Sequence, residues 1–253
     1  MKDDLFEYYL SEADAPFSGW DFSYIGDTGR MDMEPLPWSY TSEMLPHLLR
    51  ADSLLDMGTG GGEFLSMFRQ LLPQTTCATE GYEPNVGIAR NRLEPLGVQV
   101  EQINEDDLLP FADESFNLVI NRHESFLPEE IHRVLKPGGT FITQQVGGHD
   151  NVELNRWLGA NEDFGYADWN LGHACTQQET ADFRILKKKK AYPKTRFYDI
   201  GAVVYYIKAI PWQIPDFSVE KHRDLLKELH ERILQDGFLE VRSDRFLSIA
   251  VKQ

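Results

Sequence analysis

The apolar run Leu54-Leu55-Asp56 leads into Met57-Gly58-Thr59-Gly60-Gly61-Gly62 and then into Glu63-Phe64-Leu65. Four glycines in five positions between a strand pattern and a helix pattern constrain this chain more than any other feature. Glycine lets the backbone take positive φ and approach a ligand closely, and a following helix start offers unpaired N–H groups. So many glycines weaken a helix start unless some contact compensates. The turn therefore reads as a cradle for a nucleotide-like ligand, with Gly58, Thr59, Gly60 and Gly62 as its candidate contacts and Asp56 as the acid beneath them.

A dinucleotide fingerprint needs G-x-G-x-x-G, and counting from Gly58 through Gly60 puts Glu63 where the third glycine should pack helix on strand. That reading fails at one position. Thr75-Thr76-Cys77-Ala78-Thr79-Glu80 reads as a second strand ending in an acid, followed by Gly81, and Pro84-Asn85 opens a helical stretch from Val86 to Leu96. Glu80 lies about 20 residues past the glycines, where a βαβ unit brings an acid to a ribose. A carboxylate there accepts from both ribose hydroxyls and repels a phosphate, so a free ribose diol is expected.

The frame Asp56-x-Gly58-x-Gly60-x-Gly62 is followed by Ile103-Asn104-Glu105-Asp106-Asp107-Leu108-Leu109-Pro110-Phe111, by Ser115-Phe116-Asn117-Leu118-Val119-Ile120-Asn121, and by Arg133-Val134-Leu135-Lys136-Pro137-Gly138-Gly139. This series resembles the ordered motifs of the class I S-adenosylmethionine-dependent methyltransferases, from Leu54 to Val146, with Asn117 where that family usually has Asp. The resemblance implies an α/β, Rossmann-like, doubly wound seven-stranded sheet of order 3-2-1-4-5-7-6 with an antiparallel last strand. It also implies S-adenosyl-L-methionine as cofactor and S-adenosyl-L-homocysteine as product. Glu105 or Asp106 would hold the adenine amino group, and the stretch Asn121 to Glu124, with Asn121 and Arg122 as its cofactor contacts, would line the methionine end.

Strand and helix patterns alternate across the same span: strands near Ser53 to Asp56, Val98 to Ile103, Phe116 to Asn121 and Thr140 to Val146, and a helix from the glycines to Leu72. A helix from Thr176 to Asp182, a sixth strand at Phe183 to Leu186, helical stretches Ile200 to Ile210 and Leu225 to Leu234 ended by Gly237, and a closing strand Phe246 to Val251 complete the pattern. One methyltransferase domain is expected: an N-terminal cap (1–50), a cofactor-binding core (51–147), a substrate-cover insertion carrying strand six (148–215), and a closing helix and strand (216–253). All five tryptophans and nine of ten tyrosines fall outside 51–147. The cap and insertion are therefore the aromatic segments, and Trp38, Tyr40 and Trp212 are the candidate lid around a small-molecule acceptor.

With 41 acidic against 25 basic residues the net charge is −16, a field that repels nucleic-acid backbones and anionic lipid surfaces. The run Lys187 to Lys190 reads as a solvated strand or loop. Two cysteines far apart, with no signal segment and no long apolar span, fit a reduced cytoplasm and no membrane. His173-Ala174-Cys175 lacks further ligands at metal-site spacing, so no metal is expected. A monomer or homodimer fits equally.

Methyl transfer needs alignment more than a strong catalyst, since in-line proximity is worth about 7–11 kcal/mol against about 3–5 for a general base. His123, in Asn121-Arg122-His123-Glu124 after the fourth strand, is the candidate base, because an ordinary imidazole titrates near neutrality. That segment lacks the Asn/Asp-Pro-Pro-Tyr/Phe of amino-directed enzymes, leaving an oxygen, carbon or simple nitrogen acceptor. Two rival readings are a non-catalytic S-adenosylmethionine-binding sensor or partner subunit, and an RNA base methyltransferase, which the charge disfavours.

Overall fold

Ten strands stand among the residues described by the computed structural model, which are 2–17, 21–104 and 108–253. They are β1 (Met31–Met33), β2 (Ser53–Met57), β3 (Thr75–Glu80), β4 (Gln99–Gln102), β5 (Phe116–Arg122), β6 (Leu135–Val146), β7 (Phe183–Ala191), β8 (Lys194–Phe197), β9 (Leu239–Arg242) and β10 (Arg245–Lys252). The chain divides into two compact units. The first contains Pro37–Val146, Trp169–Lys190 and Arg245–Gln253; the second contains Met1–Leu36, Gly147–Asp168 and Ala191–Asp244. Residues 37–50 thus group with the glycine turn.

The first unit is built on a seven-stranded sheet ordered β4-β3-β2-β5-β6-β10-β7, the expected 3-2-1-4-5-7-6. β2 runs parallel to β3 and β5, β4 parallel to β3, β6 parallel to β5, and β10 antiparallel to β6. A strand buried on both faces needs a continuous apolar sequence, and all five residues of β2 are buried. At its start the Ser53 hydroxyl donates to Asn117 Oδ1 (2.9 Å) and accepts from Asn117 N (2.9 Å). A neutral amide therefore satisfies the position where an Asp was expected.

After the glycines, α-helix covers only Glu63–Ser66. The chain winds on through Met67 N→Phe64 O, Phe68 N→Leu65 O and Leu71 N→Phe68 O, the i→i−3 bonds of a tighter 3₁₀ path. The helix Glu83–Leu93 buries Val86, Ala89 and Leu93 against the sheet. The lysine run lies on β7, an edge strand, where Lys187 and Lys189 each reach Glu43 at 2.6 Å. Charge on an edge also discourages pairing with another chain.

The second unit was less visible in the sequence. Its helix Ile200–Ala209 is buried at every position but Lys208, as expected of a helix apolar all round. β1, β8 and β9 form a three-stranded antiparallel sheet whose strands are three or four residues long. Too short to show a period, they escaped the sequence reading. Cross-strand pairing holds them: Glu240 on β9 meets Lys194 (2.9 Å) and Arg196 (2.8 Å) on β8.

Arg30 fastens the start of the central helix. Its Nε and Nη2 donate to the two Asp199 oxygens, both at 2.8 Å, and Nη1 donates to Glu12 at 3.1 Å. Asp199 also caps the helix by accepting from Ala202 N at 2.8 Å. Replacing Asp199 with alanine removes a cap and leaves a half-buried guanidinium short of its carboxylate, at an expected cost of about 2–4 kcal/mol. Urea unfolding of the variant checks this through the shift in midpoint. Among the described residues no helix is long and apolar enough to cross a membrane.

Candidate cofactor site

The glycine turn and the end of β3 are locked together by backbone donors. Thr59 N donates to Thr79 O at 2.9 Å. Gly60 N donates to Glu80 Oε2 at 2.6 Å, and Tyr82 N to Glu80 Oε1 at 2.7 Å. Burial pushes the Glu80 carboxyl upward, and the backbone N–H groups of Tyr82, Gly60 and Gly81 oppose that by stabilising the charge. A carboxylate offers about four lone-pair sites, so beside these backbone donors it keeps capacity to accept from a ligand hydroxyl. Gly58, Gly60 and Gly62 all take positive φ. A Cβ at Gly62 would meet Leu93 Cγ at 2.7 Å, whereas a Cβ at Gly60 would meet nothing within 4 Å. The turn is closed against the helix behind it and open beside Glu80, as a ligand cradle requires.

Asp56 lies beneath the turn, buried, with Oδ2 accepting from Thr59 Oγ1 at 2.8 Å. Burial raises its carboxyl to about 7, and the Thr59 hydroxyl and Arg122 pull the other way. With a folded value above the ordinary carboxylate range, its contribution to stability is complete below about pH 4 and is lost as the pH rises through about 7. Asp56→Asn, which keeps an acceptor for Thr59, is therefore expected to be more stable than the parent at pH 8 by about 1–3 kcal/mol. The gain should vanish by pH 4, and urea midpoints at the two pH values test it.

Beyond β5 the site is walled by aromatics. Arg122 stacks over the Phe64 ring at 4.8 Å, and Tyr40 packs on Phe64 with ring centroids 5.6 Å apart. The Tyr40 hydroxyl donates to Asn121 O at 3.2 Å, and burial together with Asp56 holds its proton on. Trp38 Nε1 donates to Gln144 Oε1 at 2.9 Å. Trp38 and Tyr40 are both buried.

Pairing register separates the remaining candidates. Asp56 lies opposite Ala78 and Ile120, and Arg122 opposite Gln144, so Asp56, Glu80, Arg122 and Gln144 share one face of the sheet. Asn121 lies opposite Met57 and Thr143 on the other face. There its amide oxygen accepts from Thr143 Oγ1 (2.8 Å) and Gln145 Nε2 (2.6 Å). Asn121 thus braces β5 through its side chain and touches the site only through its carbonyl, a departure from its expected place at the methionine end. Side-chain alternation along a strand allows Asn121 or Arg122 to face the site, not both.

His123 takes φ 66 and is an exposed residue. Partial desolvation of its ring, with Arg245 and Arg122 nearby, draws its value below that of an ordinary imidazole. The direction of that shift makes the ring a weaker base than an ordinary imidazole. Glu105 and Asp106 lie outside the described residues. Trp212 belongs to the second unit, where it is 42% exposed. Sequence reading missed Phe64, Gln144 and Gln145. The signal available was Thr143-Gln144-Gln145, three polar residues in a strand expected to be buried.

Residues 55–143 match a family described as Methyltransferase domain. The matched stretch of the first unit is thus a methyltransferase domain. Over 177 residues, 62% of its length, the chain is 27% identical to the Biotin biosynthesis bifunctional protein BioHC of Teredinibacter turnerae (strain ATCC 39867 / T7901). That stretch covers 31% of the relative, so the chain spans about a third of the length of the curated protein it matches. A provisionally named methyltransferase from Bacillus halodurans C-125 superposes with a TM-score of 0.58 at 19% identity, over 85% of this chain and 98% of that one. An S-adenosylmethionine dependent methyltransferase from Mesorhizobium loti gives 0.52 at 15% identity, again over 85% and 98%. At such identities these likenesses speak for the fold of the methyltransferase domain.

Proposed function

We propose that this chain transfers the methyl group of S-adenosyl-L-methionine to a small organic acceptor. The observation carrying this reading is the open space at Gly60 beside a Glu80 carboxylate already held by two backbone donors. When bound, the cofactor supplies an electrophilic methyl on a sulfonium. In this reading Gly60 lets the backbone approach the ligand, Gly58, Thr59 and Gly62 shape the turn around it, Glu80 accepts its ribose hydroxyls, and Gly81 leaves room beside the sugar. Asp56 sits under the turn as a carboxyl that ionises readily when a cation approaches, and Arg122 is available to a carboxylate. Trp38, Tyr40 and Phe64 exclude water and align the acceptor, which is where most of the acceleration would arise.

The −16 charge supports a small acceptor over RNA, because phosphate backbones are repelled. A pocket that binds cofactor without transfer is the second reading, and the lowered proton affinity of His123 favours it in that the expected base is a weak one. Incubation with methyl-labelled S-adenosylmethionine and, in parallel, a fractionated small-molecule pool and total RNA tests the choice. Label in a low-mass product is the expected result. Label in RNA alone, or none despite tight cofactor binding, would replace the reading with one of its rivals.

A further inference from the structure

We propose that Trp38, Gln144 and His123 form a donor chain that fixes His123 as the neutral Nδ1–H tautomer, so that its ring donates a hydrogen bond to the methyl acceptor instead of removing a proton from it. An indole nitrogen can only donate, and Trp38 Nε1 lies 2.9 Å from the Gln144 amide oxygen. That commits the oxygen to the indole and turns the amide NH₂ toward His123 Nε2, at 3.5 Å. A ring nitrogen facing a donor must present its lone pair, which leaves the ring proton on Nδ1. The stereochemistry of the indole, not the drawn orientation of the amide, decides the assignment.

The backbone is built to keep this pairing. His123 N donates to Gln144 O at 2.8 Å, placing the two side chains side by side. The next residue is pinned by Gln145 Nε2 donating to Glu124 O at 2.9 Å. His123 itself sits at φ 66, a left-handed conformation uncommon for residues other than glycine and frequent at functional sites. The charged groups acting on the ring, Arg122 on its own segment and Arg245 on β10, both oppose a positive imidazole. The donor role rests on the methyl-transfer reading above; the tautomer does not. A ring that donates selects an acceptor molecule carrying a lone pair at that point, a carbonyl or ionised oxygen, and any proton lost on methylation leaves to water.

Multiple-bond ¹⁵N–¹H spectra of the full chain labelled at its seven histidines read tautomer and charge directly, without cofactor. His123→Asn identifies the signal, since asparagine tolerates left-handed backbone. The expected result is a neutral Nδ1–H pattern that does not titrate between pH 5 and 8. Gln144→Glu, whose carboxylate accepts from both Trp38 Nε1 and a His123 Nε2–H, should move the ring to the Nε2–H or charged form and bring its titration into that window. A parent ring found as Nε2–H or titrating above pH 5, or a Gln144→Glu ring unchanged from the parent, overturns the assignment. In turnover, His123→Asn should lower kcat/KM about 10- to 100-fold with the shape of the pH profile kept; loss of the acidic limb would mark a base. Failure to bind S-adenosylhomocysteine would remove the methyl-transfer reading and leave the tautomer result standing.

Discussion

Replacing Glu80 with alanine is expected to lower affinity for S-adenosylhomocysteine by about 100-fold or more while the seven-stranded sheet stays folded. Two charge-assisted hydrogen bonds join Glu80 to Gly60 N and Tyr82 N, and such bonds are worth about 1.5–3 kcal/mol each. Their loss frees the turn at the point where it should meet a ligand, and the acceptor for the ribose hydroxyls goes with them. Stability should fall much less, because burial already disfavours the charged carboxyl and both N–H groups can turn to water. Glu80→Gln keeps one acceptor oxygen but sets an NH₂ against the other N–H, so it should lie between parent and alanine variant. Calorimetric titration of all three proteins, with thermal melts as the folding control, provides the comparison. Parent-like affinity in a folded Glu80→Ala protein would separate the carboxylate from the site.

The second large effect contrasts two glycines of the same turn. At Gly60 a new Cβ enters open space, while at Gly62 it lies 2.7–3.1 Å from three Leu93 carbons. Gly60→Asp should therefore fold, with a penalty of about 1–2 kcal/mol for its positive φ, and lose nearly all cofactor affinity because it sets a second carboxylate beside Glu80. Gly62→Ala has the same backbone penalty plus overpacking, for a total of about 2–5 kcal/mol. Urea midpoints and titration heats together should show binding lost with stability kept at position 60 and stability lost at position 62. The reverse pattern would mean that the ligand lies on the helix side of the turn.

The inner strands of the sheet were legible because they are largely buried, as the burial of every residue of β2 and of all but the first of β3 shows. β2, β3 and β10 stand within a residue or two of where Ser53 to Asp56, Thr75 to Glu80 and Phe246 to Val251 placed them. What the sequence did not show is set by contacts distant along the chain. The segment after Gly62 tightens to 3₁₀ turns beyond Ser66, although its pattern suits an α-helix. β1, β8 and β9 exist through pairing with one another, as in Arg196 opposite Glu240, and not through any local period. At the site, Gly60 and Glu80 were visible as residue types at a spacing, but the bond between them was not. His123 was recognisable as an imidazole near the mouth, whereas its neighbours Gln144 and Arg245, which decide what it can do, come from strands that only the fold brings alongside.

Calorimetric titration of the intact chain with S-adenosylhomocysteine and, separately, with NADH tests the central claim most directly. Saturable binding of the thioether nucleoside at one site per chain, abolished by Gly60→Asp, with no heat from NADH, is the predicted result. Saturable binding of NADH with none of S-adenosylhomocysteine would contradict it.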